Sequence, residues 1–150
     1  MKLTASLSGT DSIRRKLLQI GSGPAFRALA ATAEDAQDYA KGQAAKHNKT
    51  GALVRSVYLK RLGTDAFEVG HDLQHAPHAL FVHWGTKPHV IRPKKKAVLR
   101  WPSGGSFAFA RKVHHPGYKG DPWMVRAAAQ APLDFERHVL AQLARITSGA

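Results

Sequence analysis

At 150 residues the chain has the length of one ordinary domain, long enough to bury a core and short of two. Its 23 Lys and Arg against 10 Asp and Glu give a formal charge of +13, which predicts an acidic partner, either nucleic acid or a negative protein face. The absence of cysteine excludes disulfides, thiolate catalysis and thiolate metal sites, and suits a cytosolic origin. No signal peptide is expected, because Arg14-Arg15-Lys16 precede Leu17, Leu18 and Ile20 with no apolar run after them. No stretch approaches the roughly 18 consecutive apolar residues of a membrane span, so no membrane partner is expected.

In chain order, Thr10 or Asp11 is placed to cap a short helix to about Ile20, with Gly21-Ser22-Gly23 as its exit. Pro24 suits the first turn of a second helix, in which Phe26, Leu29, Ala33, Ala36, Ala40 and Ala44 recur at spacings of three and four. That stripe is narrow and mostly alanine, so the helix can approach its neighbour closely, as core or as a subunit contact. After the breaker His47-Asn48-Lys49-Thr50-Gly51, the segment Ala52 to Lys60 reads as a strand, with room for one helical turn at its start. Gly63-Thr64-Asp65 is a turn and Ala66 to Gly70 a second strand, so the two form an antiparallel hairpin.

A His-rich connector, His71 to His78, leads to Ala79 to Trp84, whose continuous apolar character fits a buried strand and a short helix equally. Ile91 to Lys96 reads as a charged loop, Ala97 to Trp101 as a strand, and Pro102 to Ser106 as a turn. Phe107 and Phe109 alternate with Ala108 and Ala110 up to Val113, the period of a half-buried strand. Asp121 is expected to cap the last helix, with Pro122 in its first turn. Its apolar face runs through Ala128, Ala131, Phe135, Val139, Leu143 and Ile146, and Pro132 is expected to kink or restart it. The organisation is therefore one domain: a helical part at about 10–48, a sheet at about 52–113 and a C-terminal helix at about 122–146.

His71, His75 and His78 have ligand-like spacing, but Pro77 argues for a loop and no Cys completes a tetrahedral set, so no metal is assigned. His114 or His115 as base, Lys119 and Arg111 as phosphate ligands and Tyr118 as acid would suit a small metal-free nuclease or toxin. Those residues fall in successive turn elements with nothing to orient a base, so no catalytic residue and no cofactor is assigned. The strongest electrostatic feature is Arg92-Pro93-Lys94-Lys95-Lys96, with Lys87, His89, Arg100, Arg111 and Lys112 around it. Paired flanking strands would bring these charges onto one rim, able to contact phosphates without reading bases. Lys87, Arg92, Lys94, Lys95 and Lys96 are the candidate contacts to a partner or DNA. Trp84, Trp101 and Trp123 are the candidate core or interface anchors.

Three blocks recur in a familiar order: Thr50-Gly51-Ala52-Leu53 with Arg55-Ser56-Val57; Ala79 through His83-Trp84-Gly85-Thr86; and His115-Pro116-Gly117 leading to Pro122-Trp123-Met124 and Ala127 to Ala131. Their order and spacing resemble the tail-component family of long-tailed lambdoid phages, the "gene product ten" group of head–tail joining or tail-completion proteins. His83 stands where an acidic residue is common in that family, and Trp123 where Phe is frequent. The resemblance implies an α+β fold like that of tail terminators, a mixed and mainly antiparallel sheet flanked by N-terminal helices and a C-terminal helix. It also implies a non-enzymatic, homo-oligomeric ring at the virion neck, hexameric by expectation, assembled in the host bacterial cytoplasm. Such a ring sits between the head-closure or adaptor protein and the tail tube protein, with genomic DNA passing through its lumen. The alternatives are a basic non-specific nucleic-acid-binding protein and a small metal-free nuclease or toxin.

Overall fold

The structure is a computed structural model that describes residues 2–3, 22–47 and 49–148. The helix expected from Thr10 or Asp11 to Ile20 lies outside them. The fold is α+β, and the elements among the described residues are, in order, β1 (Lys2–Leu3), α1 (Ser22–Lys46), α2 (Ala52–Arg55), β2 (Val57–Arg61), β3 (Phe67–His71), α3 (Ala79–Trp84), β4 (His89–Ile91), β5 (Leu99–Ser103), β6 (Ser106–Ala110), β7 (Val113–His115) and α4 (Trp123–Thr147).

Two long helices make one layer. The alanine stripe of α1 buries Ala33, Ala40 and Ala44, together with Ala28 and Thr32 beside it, so the backbones come close. Thr32 pays no burial penalty because its hydroxyl donates to the Ala28 carbonyl at 2.8 Å. α4 lies antiparallel to α1: Arg27 bonds Gln142 at 3.1 Å, His138 bonds Asp35 at 2.8 Å, and Arg126 bonds Tyr39 at 3.1 Å. Ala131 and Val139 are buried in this contact, with Phe135 and Leu143 packed alongside, whereas Ile146, expected on the same face, is exposed. The helix neither stops nor restarts at Pro132, which stands on its exposed side.

The described strands form three small antiparallel sheets. In the first, β3 is central, with β1 on one side and β2 on the other, and the β2–β3 hairpin pairs Val57 with His71 through to Arg61 with Phe67. The single turn of α2 precedes it, and Ala79 to Trp84, left open between strand and helix, is the helix α3. Ala40, Ala44, Leu53, Val57, Ala76, Ala79, Trp123 and Met124 form the main core between α1, α2, the first sheet and the start of α4.

The other two sheets are nested. β4 pairs with β7, from His89 with His115 to Ile91 with Val113, and inside that pair β5 meets β6, from Leu99 with Ala110 to Ser103 with Ser106. Residues 89–115 are thus one long ribbon, interrupted where 92–98 on one side face only 111–112 on the other. Its tip is a two-residue turn in which Gly104 and Gly105 have φ of 56° and 82°, the left-handed pair that matches strand twist. Pro102, Ser103 and Ser106, expected in the turn, belong to the strands.

Candidate functional site

Trp123 opens α4 and is fully buried. Its indole N–H donates to His71 Nε2 at 3.1 Å. An accepting Nε2 carries no proton, so the neutral ring holds its hydrogen on Nδ1 and donates to Ser56 Oγ at 2.8 Å. The Ser56 hydroxyl in turn donates to the Leu53 carbonyl at 2.7 Å. Burial drives the His71 pKa from 6.5 down to about 4, with repulsion from the neighbouring His83 adding to it. The serine–histidine pair therefore runs opposite to nucleophile activation. Histidine gives its proton toward serine, and Ser56, 1% exposed, donates its own hydroxyl proton to a backbone carbonyl.

Two more histidines close around the same indole. His47 stacks on Trp123 with centroids 5.7 Å apart, and its Nε2 donates to Asp121 at 2.9 Å. Asp121 also accepts from Arg126, which reaches back to Tyr39 on α1. The His47 bond first and the Arg126 bond second hold the Asp121 carboxyl below the usual carboxylate range. Asp121 was expected to cap α4, but the helix begins after Pro122 with no side-chain cap, because this carboxylate is committed to tying α1 to α4. His83 lies edge-on to both Trp123 and Trp84, at 5.1 and 4.6 Å, and burial pushes its pKa down.

The backbone around this node is packed without room for side chains. Thr86 and Tyr118 exchange N–H to carbonyl bonds at 2.8 and 2.9 Å, and Asp121 N–H reaches the Val82 carbonyl at 3.0 Å. A methyl group on Gly85 would lie 2.2 Å from the Tyr118 carbonyl oxygen, and one on Gly120 would lie 2.4 Å from Gly85 nitrogen. The three blocks carrying the family resemblance meet here: Ser56 from the first, His83 to Thr86 from the second, Gly117 to Trp123 from the third.

The ribbon leaves from this clamp. Nine of the 23 Lys and Arg, and none of the 10 Asp and Glu, lie between Thr86 and Gly120. Lys87, Arg92, Lys94, Lys95 and Lys96 are all exposed, the last four in the loop between β4 and β5. The alternation of this strand holds with the aromatics outward: Phe107 and Phe109 are 49% and 61% exposed, no element outside the ribbon covers them among the described residues, and Arg100 covers the Phe107 ring at 4.0 Å. Of the three tryptophans, Trp123 is core, while Trp84 and Trp101 are on the surface, 58% and 38% exposed.

The other sequence candidates disperse. His71 faces the core, His75 pairs with Asp72 at 2.7 Å on the outside, and His78 is exposed. Among the described residues no three His, Asp or Glu side chains gather as a metal site. His115 stacks on His89 at 5.0 Å beside an open cleft of about 390 Å³ that neither Arg111 nor Lys119 lines. Tyr118 is turned away toward His47, at 3.3 Å. Sequence reasoning missed the roles of Ser56, His47 and Asp121. The signal within reach was Ser56 itself, a polar residue next to the apolar alternation of Val57 and Leu59. No family model, curated protein or solved structure matches the chain.

Proposed function

We propose that this protein is a structural subunit of the bacteriophage neck, a tail-completion or tail-terminator ring that joins the head-closure ring to the tail tube and leaves a passage for DNA. The observation that carries this reading is the ribbon 89–115, rooted in the core yet exposing Phe107, Phe109 and Trp101 to solvent. An isolated two-stranded ribbon is marginal in water, and exposed aromatics on one are suited to burial against another molecule. The family resemblance supports the same reading, because its three blocks form a single packed node. The Ser56–His71 pair, the chemistry most suggestive of an enzyme, is sealed and oriented against catalysis.

The ring is tested by mass photometry across protein concentration and salt, with negative-stain imaging of large species. Discrete closed rings are expected, and a strict monomer both alone and on purified tails rejects the reading. Replacing Arg92, Lys94, Lys95 and Lys96 with Glu is expected to block head–tail joining while leaving the subunit folded; normal virion yield from that variant counts against it. The charge of the same segment favours a second reading, non-specific nucleic-acid binding, whose mark is a steep fall of DNA affinity with salt in a monomeric protein.

A further inference from the structure

Among the described residues two exposed apolar surfaces match each other and do not pack face to face. On the ribbon, the pairing of Arg100 with Phe109 and of Pro102 with Phe107 puts Phe107, Phe109 and Arg100 on one face. That face is aromatic with a single cation in it. On α4, the side opposite the buried Ala131 and Val139 carries Leu133 and Leu140, 60% and 58% exposed, with Glu136 between them. Arg137, on the same side, is turned to Asp35 and Asp134 at 2.6 and 3.0 Å, which leaves Glu136 as the charge between the leucines with no ion-pair partner among the described residues. Neither Arg100 nor Glu136 takes part in an ion pair among the described residues.

We infer that the ribbon face of one copy docks on the outer face of α4 of the next, with Arg100 meeting Glu136 between the aromatic and leucine side chains. This rests on the assembly reading above and names its contact. Duplex DNA satisfies the ribbon's charge but leaves the two phenylalanines in water, and it offers nothing to the leucine stripe. A second copy covers both. Because the two patches differ, the contact is heterologous, and repeating it closes a ring when the rotation between copies closes. The charges set the register of an otherwise slippery apolar contact.

The cysteine-free chain allows a direct test. Full-length Phe109→Cys carrying one tag and full-length Leu133→Cys carrying another are mixed at high concentration and treated with a short bis-maleimide. A cross-linked heterodimer is expected from the mixture and none from either variant alone. Arg100→Glu or Glu136→Arg, placed in these backgrounds, is expected to weaken the association at least about tenfold, the scale of a lost close interfacial charge pair, and the combination of both to restore it. Far-UV circular dichroism confirms that each variant folds. Rings that form without this cross-link overturn the inference and spare the assembly reading. A monomer with no cross-link overturns both. Loss of DNA binding in Arg100→Glu, with self-association unchanged, assigns the ribbon to nucleic acid and overturns the inference.

Discussion

The indole N–H of Trp123 donates to His71 Nε2 across 52 residues of sequence, and this one bond fixes which nitrogen of the histidine carries its proton. Everything downstream of it, from His71 to Ser56 to the Leu53 carbonyl, follows in one direction. The network satisfies four buried polar groups with no charge.

That neutrality makes the fold sensitive to acid. The unfolded chain protonates this histidine near pH 6.5, while the folded chain resists until about 4. A base whose folded pKa is depressed contributes stability that is fully present above the upper value and lost as pH falls through the window. The scale is roughly 2–3 kcal/mol. His83, shifted down by burial, acts in the same direction. Urea unfolding followed by tryptophan emission is expected to show this loss between about pH 7.5 and about pH 4.5; equal stability at both would contradict a neutral buried His71.

Ser56→Ala removes the acceptor for His71 Nδ1–H and leaves a buried donor unpaired, with an expected cost of about 1–2 kcal/mol in chemical denaturation. Trp123→Phe keeps most of the apolar volume and removes the donor to Nε2, so it is expected to destabilise by a similar amount and to raise the His71 pKa, read by imidazole NMR titration.

Two glycines with positive φ differ in how much a side chain would cost: Gly85, at φ 80° and ψ −175°, lies in a region essentially only glycine adopts. Gly104, with φ of 56° at the ribbon tip, has open space where a methyl group would go. Gly104→Ala is expected to cost only the left-handed penalty, about 1–2 kcal/mol. Gly85→Ala adds a clash with the Tyr118 carbonyl and is expected to exceed 3 kcal/mol or prevent folding, measured as melting temperature and soluble yield.

Replacing Leu99–Ala110 by a short Asn-Gly turn removes no residue of either buried core cluster. The melting temperature is expected to stay within a few degrees, while self-association is lost. A large drop in melting temperature would show that the ribbon supports the fold.

Local pattern made the helices legible. The alanine spacing of α1 and the Ala131-Phe135-Val139-Leu143 series of α4 are properties of a single segment, and both faces are where the periodicity puts them. Alternation at Phe107 and Phe109 announces a strand with two unlike faces, but it carries no information on which face another layer covers; among the described residues the aromatic face is outward. β4 and β7 were missed or blurred because three residues are too few for any period to register. The node around Trp123 was invisible for a different reason. Ser56, His71 and Trp123 are ordinary residues one at a time, and only the folded chain makes them partners. The carboxylate of Asp121 looked like a helix cap because sequence cannot show that His47 and Arg126 compete for it.

The clamp at Thr86 and Tyr118 makes the ribbon a cantilever. Its root shares backbone with the rigid node through Gly85, Gly120 and Asp121, so a load at the tip passes into the two long helices instead of dissipating at a hinge. The unequal segments 92–98 and 111–112 put the compliant joint partway out, beyond the root. The outer part can then settle its angle against whatever it touches while the inner part keeps its bearing.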